Sequence, residues 1–141
     1  MLAAHSKADR NTDADWRELG ATQPYWGVLT HPDYRTENLT PANLEAFYAS
    51  GGEYISDIVR RLKAATGKSA SGRALDFGCG AGRLTQALAE HFDTVVGVDV
   101  APSMIARARS FSEKLMPRKW RWTTQQTIPS LVEPTTILMK H

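Results

Sequence analysis

Residues 73–109 read RALDFGCGAGRLTQALAEHFDTVVGVDVAPSMIARAR, and the fold follows from this stretch. Arg73 to Phe77 carries Ala74, Leu75 and Phe77 and runs straight into Gly78, which predicts a short strand ending in a turn. Leu84, Ala87 and Leu88 at helical spacing predict a helix from about Gly82 to His91. Asp93 to Val100, DTVVGVDV, is rich in β-branched residues and suits a strand covered on both faces. Ala101-Pro102-Ser103 opens another helix, with Met104, Ile105, Ala108 and Phe111 on one side. The order strand, glycine turn, helix, strand, helix is a βαβα unit. It predicts an α/β fold with a parallel sheet and a right-handed crossover.

The chemistry belongs to the first βα turn, Asp76-Phe77-Gly78-Cys79-Gly80-Ala81-Gly82. Three glycines at alternate positions permit positive φ and remove side chains that would keep a ligand off the backbone. A helix start at Gly82 adds N–H donors and a partial positive charge. Asp99 ends the second strand, which in a parallel sheet puts it beside the turn at the carboxyl edge. A carboxylate there can accept hydrogen bonds from both hydroxyls of a ribose, so the unit predicts a site for a nucleoside-containing cofactor. The dinucleotide pattern G-x-G-x-x-G would need glycine at position 83, which is Arg83. Asp76, two residues before the first glycine, would repel a pyrophosphate but suits a ligand bearing an ammonium and a sulfonium. It could instead cap the adjacent turn. Met104 fits core packing and a contact to a base equally well. Cys79 has no histidine near it in sequence to activate a nucleophile.

Residues 73–109, including the segment Asp99 to Ile105 after the second strand, resemble the class I S-adenosylmethionine-dependent methyltransferases. The resemblance implies a Rossmann-like, mostly parallel sheet of which two strands are clear here. It implies S-adenosyl-L-methionine as cofactor, with Asp76, Gly78, Cys79, Gly80 and Gly82 along its methionine half. It places Asp99 on the ribose diol, and Val100 and Met104 near the ribose and adenine. The implied activity is methyl transfer to an unidentified acceptor, a small molecule or lipid by preference. It names no catalytic base and no metal.

On the amino-terminal side, residues 1–15 are polar and expected to be loose. Trp16 to Tyr34 is aromatic and turn-rich, which predicts loops with one helical turn at most. That segment would either fold over the cofactor as a lid or pack on the helix carrying Phe47 and Tyr48. Thr40-Pro41 is an N-cap followed by Pro at the first helical position, and this makes Asn38-Leu39-Thr40 a helix start rather than a glycosylation acceptor. The helix is predicted to stop near Gly51-Gly52. A second would run from about Glu53 to Ala65, with Ile55, Ile58, Val59 and Leu62 inward and Gly67 as a left-handed cap. Arg60, Arg61 and Lys63 near its end form a solvated basic cluster.

On the carboxyl side the character changes. All ten glycines lie at or before Gly97, and residues 113–141 carry a net charge of +3 against −1 for the rest. Trp120 to Thr124 and Thr136 to Met139 are candidate third and fourth strands, and Gln125 and Gln126 are the nearest candidates to read an adenine amino group. Lys119-Trp120-Arg121-Trp122 alternates basic and aromatic residues as single-strand nucleic-acid binders do, or as a strand with both tryptophans on one face. The organisation expected is residues 1–40 as an aromatic lid, 41–112 as helices plus the cofactor unit, and 113–141 as an atypical tail from a truncated or shifted reading frame. Such a chain could be a non-catalytic fragment that only binds cofactor or a partner. Its first strand would then lack a neighbour on one edge, which predicts self-association through that edge.

Composition sets outer limits. The chain has 141 residues and 15.6 kDa, the size of one domain. Hydrophobic residues at 42% and charged residues at 23% exclude a disordered chain. A net charge of +2 makes no global case for nucleic acid or an acidic membrane. No apolar run has spanning length and no signal-peptide core opens the chain, so the cytoplasm is the expected location. One cysteine forbids an internal disulfide, and the four histidines have no metal-ligand spacing.

Overall fold

The computed structural model describes residues 12–115, 120–124 and 137–140. Four strands form one sheet: β1 (Arg73–Phe77), β2 (Thr94–Asp99), β3 (Trp120–Thr124) and β4 (Ile137–Lys140). They are all parallel, in the order β3-β2-β1-β4. The order reverses direction at β1, and the carboxyl end of such a switch point is where open α/β sheets form ligand crevices. The expected α/β sheet is therefore present, with Trp120–Thr124 as a strand and the fourth strand shifted by one residue. The expectation of an open edge on β1 is corrected. β4 pairs with β1 from Ala74↔Ile137 to Phe77↔Lys140, so β1 has a neighbour on both sides. The free edges of the described sheet belong to β3 and β4.

Alternation in β1 and β2 sends side chains to opposite faces. Ala74 and Val95 pack with Ile55, Leu84, Leu88 and Phe92 in the larger cluster, and Leu75, Val96 and Val98 form a smaller one. β2 is buried through its four central residues, as the DTVVGVDV run predicts.

Among the described residues there are four α-helices: α1 (Thr12–Thr22), α2 (Pro41–Thr66), α3 (Arg83–Leu88) and α4 (Pro102–Leu115). α1 replaces the loose chain and loops expected over residues 12–22, and residues 1–11 lie outside the described residues. Its apolar residues have no helical period, but Asp13 and Asp15 sit in its first turn, where they suit the helix dipole. Tertiary contacts hold it: buried Gly20 packs on Ala101, Ser103 and Met104, and Arg17 Nε donates to the Val100 carbonyl at 3.3 Å. Two 3-10 turns, Pro32–Tyr34 and Thr36–Asn38, follow.

α2 is one helix of 26 residues, not two. Both of its predicted caps hold: Thr40 Oγ1 accepts from the Asn43 N–H at 3.1 Å, and Gly67 closes the helix at φ 72°. Arg60 and Arg61 both pair with Asp57 of the same helix. Gly51-Gly52 does not stop α2 because Gly51 has a different task. A Cβ there would lie 2.2 Å from the Arg83 carbonyl oxygen, so only glycine lets α2 come this close to α3. Gly52 faces open space.

The two glycines should thus respond in opposite directions. Gly51→Ala forces α2 off α3 and is expected to destabilise the fold by about 1–3 kcal/mol, the range for overpacking a close contact. Gly52→Ala removes backbone entropy at no steric cost and should stabilise by about 0.5–1 kcal/mol. Denaturant unfolding of the two variants beside the parent checks both signs.

Candidate functional site

The turn between β1 and α3 is shaped by three positive φ values: Gly78 at 78°, Gly80 at 52° and Gly82 at 87°. Gly78 and Cys79 donate their N–H groups to the Val98 carbonyl at 2.8 and 2.9 Å, and Gly82 N–H goes to the Cys79 carbonyl at 3.0 Å. Gly80 N–H goes to Asp99 Oδ2 at 2.8 Å. The glycine turn therefore spends these donors on the protein. It presents bare backbone to a ligand rather than a ring of free N–H groups. Nothing lies within 4 Å of where a Gly78 Cβ would stand, whereas Val28 Cγ2 would sit 2.9 Å from a Gly80 Cβ.

This turn borders a cavity of about 630 Å3 at the carboxyl ends of β1 and β2. Of the residues singled out in the sequence, Gly78, Cys79, Gly80, Asp99, Val100 and Met104 line it. Asp76 and Gly82 do not. Asp76 is fully buried behind the turn, where its Oδ2 accepts from the Thr85 hydroxyl at 2.5 Å. Residue alternation explains this: Asp76 points to the same face as Ala74, toward α3. Gly82 is the left-handed residue that starts α3. Gln125, Gln126 and Lys119 lie outside the described residues.

Asp99 holds the site together. Its Oδ2 takes the Gly80 N–H and its Oδ1 takes the Ala101 N–H, each at 2.8 Å. A carboxylate offers about four lone-pair positions, so two acceptor sites remain for hydroxyl donors. Cys79 is 4% exposed, and its thiol lies near the Gly80 carbonyl. Burial pushes its pKa well up, with the negative charges of Asp76 and Asp99 adding to the effect. A protonated, shielded thiol is no nucleophile.

Other parts of the wall were not named as site residues from the sequence. Trp16 from α1, Val28, Arg83 and Leu84 also line the cavity. Arg83 was in view only as a departure from a dinucleotide pattern, whereas Trp16 and Val28 belong to the segment expected either to fold over the cofactor as a lid or to pack on the helix carrying Phe47 and Tyr48. The segment around them serves two ends. Tyr25 and Tyr34 pack edge-on against Phe47, with ring centroids at 5.1 and 5.4 Å, while Trp16 and Val28 face the cavity. Tyr48 supports the turn from behind: its buried hydroxyl donates to the Ala81 carbonyl at 3.0 Å, and its ring stacks on Phe111 at 3.5 Å. Burial raises the pKa of that phenol far above its ordinary value. Among the described residues no cluster of His, Cys, Asp or Glu could hold a metal ion, and no helix is long and apolar enough to cross a membrane.

Comparison with known proteins gives the same picture. Residues 74–133 match the family described as a methyltransferase domain. The fold resembles magnesium protoporphyrin IX methyltransferase from Synechocystis PCC 6803, solved with bound SAM, at 18% identity and a TM-score of 0.53 over 86% of this chain and 57% of that one. It also resembles phosphoethanolamine N-methyltransferase 1 from Haemonchus contortus, at 15% identity and a TM-score of 0.53 over 79% of this chain and 20% of that one. The chain thus spans between a fifth and just over half the length of these structures. At these identities the likeness is one of fold. No functionally curated protein matches the chain in sequence.

The geometry makes Cys79 a reporter of the turn. In the native protein it should resist a maleimide at pH 7–8 over hours, and it should react within minutes once denaturant opens the fold. Mass spectrometry of the adduct with time checks this, and prompt native labelling would mean that the turn is open.

Proposed function

We propose that the chain is a class I S-adenosylmethionine-dependent methyltransferase and that the cavity beside its glycine turn binds S-adenosyl-L-methionine for methyl transfer to a small-molecule or lipid acceptor. The observation that carries this reading is the juxtaposition of open backbone at Gly78 with the two remaining acceptor positions of Asp99. The residues present suit the group. Gly78, Cys79 and Gly80 offer a surface without protruding side chains for an aliphatic chain. Asp99 accepts from a ribose diol. Met104, Val98 and Phe77 line the cavity with apolar groups against which a purine can pack. Asp76 and Gly82 act from behind: Asp76 fixes the turn to α3 through Thr85, and Gly82 starts the helix.

Bound S-adenosylmethionine supplies a methyl group activated by its attachment to positively charged sulfur. What the protein must contribute is alignment and exclusion of water, since the transfer destroys a charge. The segment 1–40 is suited to that second task as a lid, because Trp16 and Val28 border the cavity and Arg17 fastens α1 to Val100. Trp16 is 51% exposed, which leaves an aromatic surface at the cavity's rim for an acceptor. Self-association would use the outer edges of β3 and β4 in the described sheet, and sedimentation of the purified chain measures it.

Binding is tested by calorimetric titration with S-adenosylhomocysteine and NAD side by side. S-adenosylhomocysteine is expected to bind and NAD to give no heat; the reverse would overturn the reading. Asp99→Ala removes charge-assisted hydrogen bonds worth about 1.5–3 kcal/mol each. It should weaken S-adenosylhomocysteine at least about tenfold with the secondary structure retained. Transfer of label from methyl-labelled cofactor over a panel of acceptors separates an active enzyme from a fragment that only binds.

A further inference from the structure

The two large hydrophobic residues left exposed among the described residues are Trp16 and Tyr54. Tyr54 has the Arg83 guanidinium 6.0 Å from its ring centre, and Trp26 has that of Arg35 at 4.7 Å. Among the described residues the Trp16 ring has no aromatic or cationic partner, although it borders the cavity. Asp13 borders the cavity too. It precedes Trp16 by three residues on α1, so the two side chains stand on one face of the helix.

The charged residues that line the cavity are Asp13, Arg83 and Asp99. Asp99 already accepts a backbone N–H on each oxygen, and the Arg83 guanidinium donates to the Ser50 hydroxyl of α2 at 3.1 Å. Among the described residues the Asp13 side chain has neither a hydrogen bond nor an ion pair. Arg17, four residues on, sends its Nε to the Val100 carbonyl instead. An exposed indole face attracts a cation, and a carboxylate beside it adds to the attraction. A phosphate or carboxylate in the same place would meet Asp13 as a like charge.

We propose that the methyl acceptor is an amine bound as its ammonium ion, with the Trp16 ring and the Asp13 carboxylate on α1 as its recognition site. This rests on the reading of the cavity as an S-adenosylmethionine site. The cofactor's sulfonium would repel a second cation nearby, and the charge of Asp13 offsets that repulsion. For transfer the ammonium gives one proton to water at the exposed rim. The nitrogen lone pair then forms the N–C bond while the C–S bond breaks with its electron pair kept on sulfur. The products are a methylated ammonium and S-adenosylhomocysteine. An ammonium can come from a free amine or from a lipid headgroup, and the test separates the two.

Calorimetry on the full chain saturated with S-adenosylhomocysteine compares n-hexylamine, charged at neutral pH, with n-hexanol, its neutral match. The amine should bind at least about tenfold more tightly. Asp13→Asn and Trp16→Leu should each cut that preference at least about threefold, the scale of one exposed ionic or cation–π contact. Trp16→Phe, which keeps a ring, should retain most of it. Asp15→Asn removes the same charge from the same helical turn outside the cavity lining, and should leave the preference within about twofold. Flotation with phosphatidylglycerol vesicles, with and without phosphatidylethanolamine, tests the headgroup. Retention that needs phosphatidylethanolamine and falls in Asp13→Asn places the ammonium on a lipid; preference for hexylamine without such retention places it on a free amine. Equal affinity for amine and alcohol, with no retention that needs phosphatidylethanolamine, overturns the proposal. So does a preference that Asp13→Asn and Trp16→Leu leave intact, or that Asp15→Asn lowers equally. A parent that fails to bind S-adenosylhomocysteine overturns the cofactor reading, and the acceptor proposal with it, before any amine is added.

Discussion

A single carboxylate joins the two turns on which the site is built. Asp99 accepts from Gly80 after β1 and from Ala101 after β2, so the loop that bends for a ligand and the start of α4 share one anchor. Charge-assisted bonds in a partly buried setting are stronger than their exposed equivalents. The position of Asp99 depends in turn on the β1–β2 register, which runs without interruption from Arg73↔Thr94 to Phe77↔Val98. A slip of one residue would turn Asp99 to the other face and leave Gly80 without its partner. The cavity is a consequence of that register.

The back of the turn is fixed by α2. Its residues approach α3 and the turn at several points, among them Gly51 against the Arg83 carbonyl, the Tyr48 hydroxyl on the Ala81 carbonyl, the Arg83 guanidinium donating to the Ser50 hydroxyl, and the Gln86 amide donating to the Tyr48 carbonyl at 3.0 Å. Stacking of Tyr48 on Phe111 brings α4 into the same arrangement. The helices that flank the sheet therefore shape the site as well as cover the core. Asp76 belongs to this rear support, where the Thr85 hydroxyl meets it in a region closed to solvent.

Local signals carried far in the sequence, and the misses have a common cause. β1, β2, the cap at Thr40 and the left-handed close at Gly67 were legible because each rests on residues within a few positions of one another. The two outer strands were legible only as candidates, since four or five residues become a strand by finding a neighbour. Gly51 was misread because glycine looks the same whether it ends a helix or admits a carbonyl from another one. α1 had no apolar period to show, because contacts with α4 hold it. In the site, Gly78, Gly80, Asp99, Val100 and Met104, which pattern and resemblance singled out, line the cavity. The inward turn of Asp76 and the arrival of Trp16 and Arg83 depend on packing that no short window contains.

The strand order also has a consequence for the sequence of events in folding. β1 meets β2 across 21 residues, from Arg73 to Thr94, but meets β4 across 63, from Ala74 to Ile137. Loop-closure entropy grows slowly with length, and a threefold longer loop costs about 1 kcal/mol more to close. The βαβ unit that contains the glycine turn and Asp99 is therefore the cheaper nucleus, and β4 is the later arrival. A chain emerging from the ribosome has every residue of that nucleus before β4 has been synthesised, so the ligand crevice can take shape while β4 is still missing.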